Sequence, residues 1–445
     1  MRIRQILAVL TPVAAASAIA VVPVSTVAVT ATQHTASRAG HMSPAVAAPL
    51  AYRYAGHTRT AGATFSCQKP GSSINCYNAQ ELANAYDIPA DLTGAGRSIA
   101  IVDAFGGPTI ADDLKVFDTV FGLPAANLNI LYPNGQPAFD PNNADELSWS
   151  GEIALDVESA HAVAPAATIN LVIAKSDEDS DILAAERYAV DNNLGDVLSQ
   201  SYGEAESCES ASDRNAAHAL YAKAAVMGIS VFASTGDFGA AQPTCDFSSF
   251  IKSAGVPAAD PLVTSVGATS LTANQPKGKY VSETGWNDQY GSSGGGFSAI
   301  YSRPGYQALD HANSAGRGVP DVSYSGDVNN GLLIAWSQGD PANVGEFFIY
   351  GGTSAGSPQW AAITALADQA ANHRLGFLNP ALYAIAATPQ YSDVFHDVTT
   401  GNNTVTVADA NGNPLTITGF DAGKGWDAVT GLGSPDVAHL IKVLH

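Results

Sequence analysis

The sequence predicts an α/β fold in which a parallel sheet is covered by helices on both faces. Short runs such as Ile99-Ala100-Ile101-Val102 are apolar throughout, as strands buried on both faces are. They alternate with longer segments whose apolar residues recur at helical spacing, a pattern that implies right-handed crossovers between parallel strands. The chain has 445 residues, 46% of them hydrophobic and only 14% charged, with 42 glycines. That is enough to bury a large core, and disorder is not expected beyond the start.

The elements follow in order. Met1-Arg2-Ile3-Arg4 leads into a small-residue apolar stretch from Ile6 to about Ala31 without a further charge, read as a secretory signal peptide over residues 1–31. Residues 32–66 are rich in Ala, Ser, Thr and Pro and lack periodicity, which suggests a linker or short prosegment. The globular part is expected over residues 67–445. A helix at Ala79 to Tyr86 precedes a strand, Ser98 to Val102, that ends at Asp103 ahead of Gly106-Gly107. Next come a helix from Ile110 to Phe121, a loop from Tyr132 to Glu146, and a helix from about Trp149 to Val163. The alternation continues with a strand at Thr168 to Ala174, a helix at Asp181 to Asn192 and a strand at Asp196 to Ser201. A helix at Ser212 to Met227 and a strand at Ile229 to Ala233 complete it, and a last buried strand, Phe347 to Tyr350, feeds a helix from Ala355 to Asn372.

Composition narrows the environment. Forty-one acidic side chains against 20 basic ones give a formal charge of −21, which argues against a nucleic-acid partner and suits an acidic medium. After the first segment no long apolar run recurs, so a chain soluble outside the cell, with no membrane association after signal cleavage, is expected. The four cysteines are an even number in an export context. Pairs 67–76 and 208–245 are the expectation among three possible connectivities, and no Cys-x-x-Cys suggests zinc.

Three stretches carry candidate chemistry. Gly351-Gly352-Thr353-Ser354 sits where a strand turns into a helix, so the Ser354 hydroxyl would lie beside unpaired helix N–H groups suited to an oxyanion. On its own the stretch is most simply an N-cap. Glu152 and Asp156, four residues apart on a helix, share one face. That is ordinarily a solvated face, but a buried pair sharing a proton could accept and donate it. Asp237, in Ser234-Thr235-Gly236-Asp237-Phe238-Gly239, follows the carboxyl end of a strand, where ligands collect in open α/β sheets. It reads equally as a turn-forming aspartate.

Together these stretches resemble the sedolisins, the serine-carboxyl peptidases (peptidase family S53) with a subtilisin-like fold. Ser150-Gly151-Glu152 to Asp156 with Ala162-Val163-Ala164-Pro165, the Asp237 turn, and Gly352-Thr353-Ser354 to Pro358 are similar to the family's acidic-pair, oxyanion and nucleophile segments. Ser199 to Gly203, Ser293 to Ser298 and Arg317 to Ser323 are similar to further family signatures, and the order matches over roughly residues 78 to 445. The resemblance implies Ser354 as nucleophile, Glu152 as general base and then acid, Asp156 as its proton-coupled partner, and Asp237 in the oxyanion hole. It implies a secreted, acid-acting serine-type endopeptidase that is monomeric and acts on polypeptides. Ser201, Tyr202, Gly203, Gly294, Gly295 and Gly296 would be backbone walls of the substrate cleft. A C-terminal calcium-binding loop region would hold one structural Ca2+ through Asp397, Val398, Gly423, Gly425 and Asp427.

Three features depart from the family pattern. Asp103 stands where subtilisins carry their triad aspartate. His161 follows Glu152 by nine residues, so a Ser-His-Asp arrangement is a competing expectation. The family is generally made with a long folded prosegment, where this chain has residues 32–66. A secreted non-catalytic binding or structural protein on the same scaffold is the alternative function.

Overall fold

Burial on both faces of a central sheet organises the chain. The computed structural model describes residues 51–309 and 314–444 and the backbone of residues 46–47; the expected signal peptide lies outside the described residues. The sheet runs in the order Lys279–Gly285, Thr264–Asn274, Ser230–Ser234, Val197–Gln200, Ser98–Ala104, Thr168–Ala174, Asn127–Leu131. Val322–Ser325 also pairs with Thr264–Asn274, in parallel. The centre is parallel, with Ile101 opposite both Leu171 and Ser199, while Lys279–Gly285 joins antiparallel at one side.

Strand alternation divides the core into two layers. Ile99 and Ile101 point into the cluster that holds the side chains of helices α2 (Ile110–Phe121), α3 (Ala144–Val163) and α6 (Gly356–Ala371), which follow the short α1 (Ala79–Ala85). Ala100, Val102 and Ala104 face the opposite cluster, formed with α4 (Asp179–Asp191) and α5 (Ala211–Val226). Local sequence sets the helix starts. Asn78 and Glu81 cap α1 reciprocally, each side chain accepting the other's N–H at 2.9 Å. Asn143 caps α3 by accepting from Asp145 N–H at 3.0 Å, so α3 begins five residues before the expected Trp149, in a polar first turn without apolar periodicity. Both expected disulfides are present, Cys67–Cys76 and Cys208–Cys245.

Several boundaries differ from the sequence reading. Tyr52–His57, inside the expected linker, is a strand paired antiparallel with Glu346–Tyr350, so the globular part starts by Ala51 rather than at Cys67. Its aromatics hold it, Tyr52 packing on Trp336 and Tyr350 with ring centroids 5.3 and 5.6 Å apart. The strand before Ser354 belongs to this second sheet (Tyr52–His57, Glu346–Tyr350, Asn330–Ala335, Asn75–Tyr77) rather than to the parallel one. The edge strand Asn127–Leu131, only five residues long, was not expected. The strand at 197 stops at Gln200, and a separate strand, Tyr202–Ala205, pairs with Gly255–Val256. The backbone of Val46–Ala47 runs antiparallel along its other side.

One signature stretch is a structural brace. Arg317, fully buried, donates to both oxygens of Asp321 at 2.8 and 2.6 Å. Asp321 also accepts from the Ser265 N–H at 2.8 Å and the Tyr383 hydroxyl at 2.9 Å. Losing one partner of such a buried pair costs about 3–5 kcal/mol, so this stretch pins the strands beneath the site.

Candidate active site

Helix α3 is enclosed on almost every side, and Glu152, Asp156, Glu158 and His161 are all 0% exposed. This is not a solvated acidic face. Moving an ionised carboxylate out of water costs several kcal/mol, so these groups hold protons unless a cation opposes them. Burial raises the Glu152 pKa well above the usual range, and the nearby Asp103 charge adds to the rise. Burial does the same to Asp156, reinforced by Asp103 and Glu152. Asp103 ends its strand fully buried, with neither oxygen hydrogen-bonded and its pKa pushed by burial to about 8. Three buried carboxyls, rather than two, therefore act on one another electrostatically.

Ser354 reaches this group from the turn into α6. Its Oγ lies 3.4 Å from the Ser201 carbonyl. The side chain also interacts with the Glu152 carboxyl and opposes the rise in its pKa, although no Glu152 oxygen makes a bond of full hydrogen-bond geometry. The Ser201 hydroxyl donates to Asp156 Oδ1 at 2.8 Å, a positioning contact that sequence reasoning missed by treating Ser201 only as backbone wall.

Asp237 follows Ser230–Ser234, and its Oδ1 accepts from the Thr353 N–H at 2.8 Å and the Thr353 hydroxyl at 2.9 Å. Burial pushes its pKa to about 6. Gly352 has φ +91°, and a Cβ there would fall 2.4 Å from Asp237 Oδ2, so this turn requires glycine. Asp237 lines a cavity with Tyr202, Gly203 and the 234–238 turn.

The other expected residues sort as follows. Gly294 to Gly296 do not line that cavity; Gly294 backs the Asp237 turn, where a Cβ would fall 2.1 Å from the Thr235 carbonyl oxygen, while Gly295 and Gly296 pack against Ala428 and Phe420. His161 Nε2 lies 2.9 Å from Asp118 Oδ1 and 3.1 Å from the Pro124 carbonyl, facing α2 rather than Ser354. The competing Ser-His-Asp arrangement therefore lacks its geometry, and Asp103 joins the acidic pair instead. In the C-terminal loops, Asp397 accepts from Gly425 N–H at 3.0 Å and Asp427 from Gly423 N–H at 2.9 Å. Among the described residues neither carboxylate pairs with a lysine or arginine.

These protonation states set a pH dependence of stability. Burial raises Asp103 to about 8, Asp368 to about 7, and Asp113 and Asp237 to about 6, against about 4 in an unfolded chain. A raised carboxyl binds its proton more tightly when folded. Its stabilising contribution is complete below about pH 4 and is lost as pH rises through the folded value. Asp246, lowered by hydrogen bonds from Thr244 and Ser248, works the other way but lies in solvent and counts little. The melting temperature should fall by at least about 5 °C between pH 4 and pH 8; a flat or rising profile would contradict these assignments.

No family model matches the chain. Kumamolisin from Bacillus sp. (strain MN-32) is 33% identical over 400 residues, covering 87% of this chain and 67% of that protein. This chain belongs to the sedolisin family of serine-carboxyl peptidases. Sedolisin from Pseudomonas sp. (strain 101) is 29% identical over 380 residues, covering 82% of this chain and 60% of that protein. The solved Pseudomonas sedolisin, complexed with two molecules of pseudo-iodotyrostatin, superposes with a TM-score of 0.70 at 27% identity, covering 83% of this chain and 98% of that one. The chain thus spans about two thirds or less of the length of these curated relatives, and it shares the sedolisin form of the subtilisin-like architecture. Among the described residues no helix is long and apolar enough to cross a membrane.

Proposed function

We propose that the protein is a secreted, acid-acting endopeptidase that cleaves polypeptides through an acyl-enzyme on Ser354. The observation that carries this reading is the Glu152 carboxyl beside the Ser354 side chain, inside a buried cluster of three carboxyls that raise one another's pKa. Ser354 Oγ attacks the peptide carbonyl carbon while Glu152, ionised in the reacting form in which the carboxyl cluster has given up one proton, takes the serine proton. Asp156, held by the Ser201 hydroxyl, and Asp103 keep that proton within the group. The oxyanion receives hydrogen bonds from the Ser354 N–H and from Asp237, which below about pH 6 is protonated and can donate. Glu152 then gives its proton to the leaving amine, the C–N bond breaks, and a water activated by Glu152 hydrolyses the ester. Support for Ser201, Tyr202 and Gly203 as cleft wall comes from Val46–Ala47, which pairs with Gly203 and Tyr202 as an extended peptide would. Two disulfides agree with export to an oxidising compartment.

The test is incubation of the purified protein with a denatured protein substrate from pH 3 to pH 7. Cleavage confined to the acid side is expected, and none at any pH would favour the non-catalytic binding protein.

One structural calcium is part of this reading. Oxygen donors from two loops, Asp397 and Asp427 with the carbonyls of Val398, Gly423 and Gly425, suit a hard cation, and among the described residues neither carboxylate has a lysine or arginine beside it. The ion, when bound, supplies positive charge that ties these loops together. Ala428, next to Asp427, packs with its carbonyl against Gly295, where a Cβ would lie 2.1 Å from that oxygen. This loop thus packs against Gly295, just ahead of the Gly296–Ser302 strand. Chelation should lower the melting temperature by about 5 °C or more; an unchanged value with no metal detectable in the untreated protein would remove the ion from the account.

A further inference from the structure

Two acidic side chains outside the catalytic cluster meet each other instead of a cation. Asp288, half-buried in the loop after Lys279–Gly285, and Asp327, buried in the loop after Val322–Ser325, lie within hydrogen-bond reach of one another. Asn329 holds both, its backbone N–H donating to Asp327 Oδ1 at 2.7 Å and its side-chain amide to Asp288 Oδ2 at 2.7 Å. Asp288 Oδ1 accepts from the Tyr290 N–H at 2.7 Å, and Asp327 Oδ2 accepts from the Ser270 hydroxyl and the Asn330 amide. Among the described residues no lysine or arginine pairs with either carboxyl. Two carboxylates this close repel when both are ionised, and the contact becomes favourable when they share a proton.

Each loop supports one half of the site. On the Asp288 side, the Ser292 N–H donates to the Asp237 carbonyl at 2.9 Å, and a Cβ on Gly291 would fall 2.8 Å from that same oxygen. The Asp288 N–H donates to the Gly291 carbonyl at 2.9 Å, so acid and support belong to one tight turn. On the Asp327 side, the Gly326 carbonyl accepts from the Gly352 N–H at 2.7 Å, in the turn that leads into Ser354. The meeting of the two acids therefore links the Asp237 turn to the Ser354 turn.

We propose that Asp288 and Asp327 form a clasp, closed by one shared proton, that fixes the Asp237 turn against the Ser354 turn. With the proton between them the two loops are tied together. Once it leaves, like charges push the loops apart and the two halves of the site lose their register. Both acids are positioning residues, and that part of the inference rests on the peptidase reading above.

Burial, with the Asp327 carboxyl beside it, pushes the Asp288 pKa up to about 6, against about 4 in an unfolded chain. The clasp's contribution is therefore complete below about pH 4 and is lost as pH rises through about 6. The other charged and titratable groups around the pair are Arg53 of the Tyr52–His57 strand, Tyr290 of the Asp288 loop and Tyr77 of the Asn75–Tyr77 strand. Arg53 donates to the Asn329 side-chain carbonyl at 3.1 Å, with its guanidinium 5.8 Å from the centre of the Tyr290 ring, so it reaches the acids only through Asn329.

The test is melting temperature against pH, in excess calcium, for wild type, Asp288→Asn and Asp288→Ala, together with kcat and KM at pH 4 for a peptide that the wild type cuts. Asparagine stays neutral at every pH and can still donate to Asp327. Its lost acceptor for the Asn329 amide costs the same at each pH, so the slope is the readout. Between pH 4 and pH 8 the melting temperature of Asp288→Asn should fall by about 2 °C less than that of wild type. At pH 4 Asp288→Ala should lower kcat roughly tenfold or more with KM within about twofold, while Asp288→Asn keeps kcat within about threefold of wild type. Asp327→Asn should flatten the slope in the same direction and serves if the Asp288 variants do not fold. An unchanged slope in Asp288→Asn, or wild-type kcat in Asp288→Ala, overturns the clasp and leaves the peptidase reading intact. If the wild type cleaves nothing, the peptidase reading falls and the slope alone decides the clasp.

Discussion

Ser354→Ala is expected to abolish peptide cleavage, by roughly 10⁵-fold or more in kcat, without unfolding the chain. The change removes one hydroxyl whose hydrogen bond, to the Ser201 carbonyl at 3.4 Å, is long. Alanine suits the helical turn it occupies, so the melting temperature should stay within about 2 °C of wild type. Circular dichroism and a cleavage assay on the same preparation separate the two effects. Turnover retained in a folded variant would remove Ser354 from the mechanism.

Glu152→Gln is expected to lower kcat by roughly 10²–10⁴-fold or more, because an amide cannot take the serine proton. The amide is nearly the same shape, and at acid pH it replaces a group that burial already keeps uncharged, so folding should survive. The informative control is His161→Ala. Its ring is tied to Asp118 and the Pro124 carbonyl, so the variant should lose stability rather than chemistry. If a folded His161→Ala protein were inactive while Glu152→Gln worked normally, the carboxyl mechanism would be wrong and an imidazole base would replace it.

The parallel strands and their helices were legible because their residues repeat at strand or helical spacing over runs long enough to outweigh local exceptions. Ile110–Phe121 and Thr168–Ala174 were read with the bounds observed. Tyr52–His57 was not, since its partner, Glu346–Tyr350, lies almost 300 residues away and nothing local marks the pairing. Tyr202–Ala205 was not expected as a strand, for the same reason. Both expected cysteine pairs form, one closing a short loop and the other flanking a helix-then-strand unit.

What the sequence determined by itself was the list of candidate reacting groups. Ser354, Glu152, Asp156 and Asp237 stand in local contexts, a strand-to-helix turn, one helical face and a strand end, that short-range geometry dictates. Only the tertiary structure decided their chemistry. Enclosure of α3 turned what would be a solvated acidic face into proton-holding carboxyls. The sheet brought Asp103 to them and the Ser201 hydroxyl to Asp156, while His161 was carried to the far side of the helix. Protonation depends on distance from water and from other charges, and both are properties of the packed molecule rather than of neighbours in the chain.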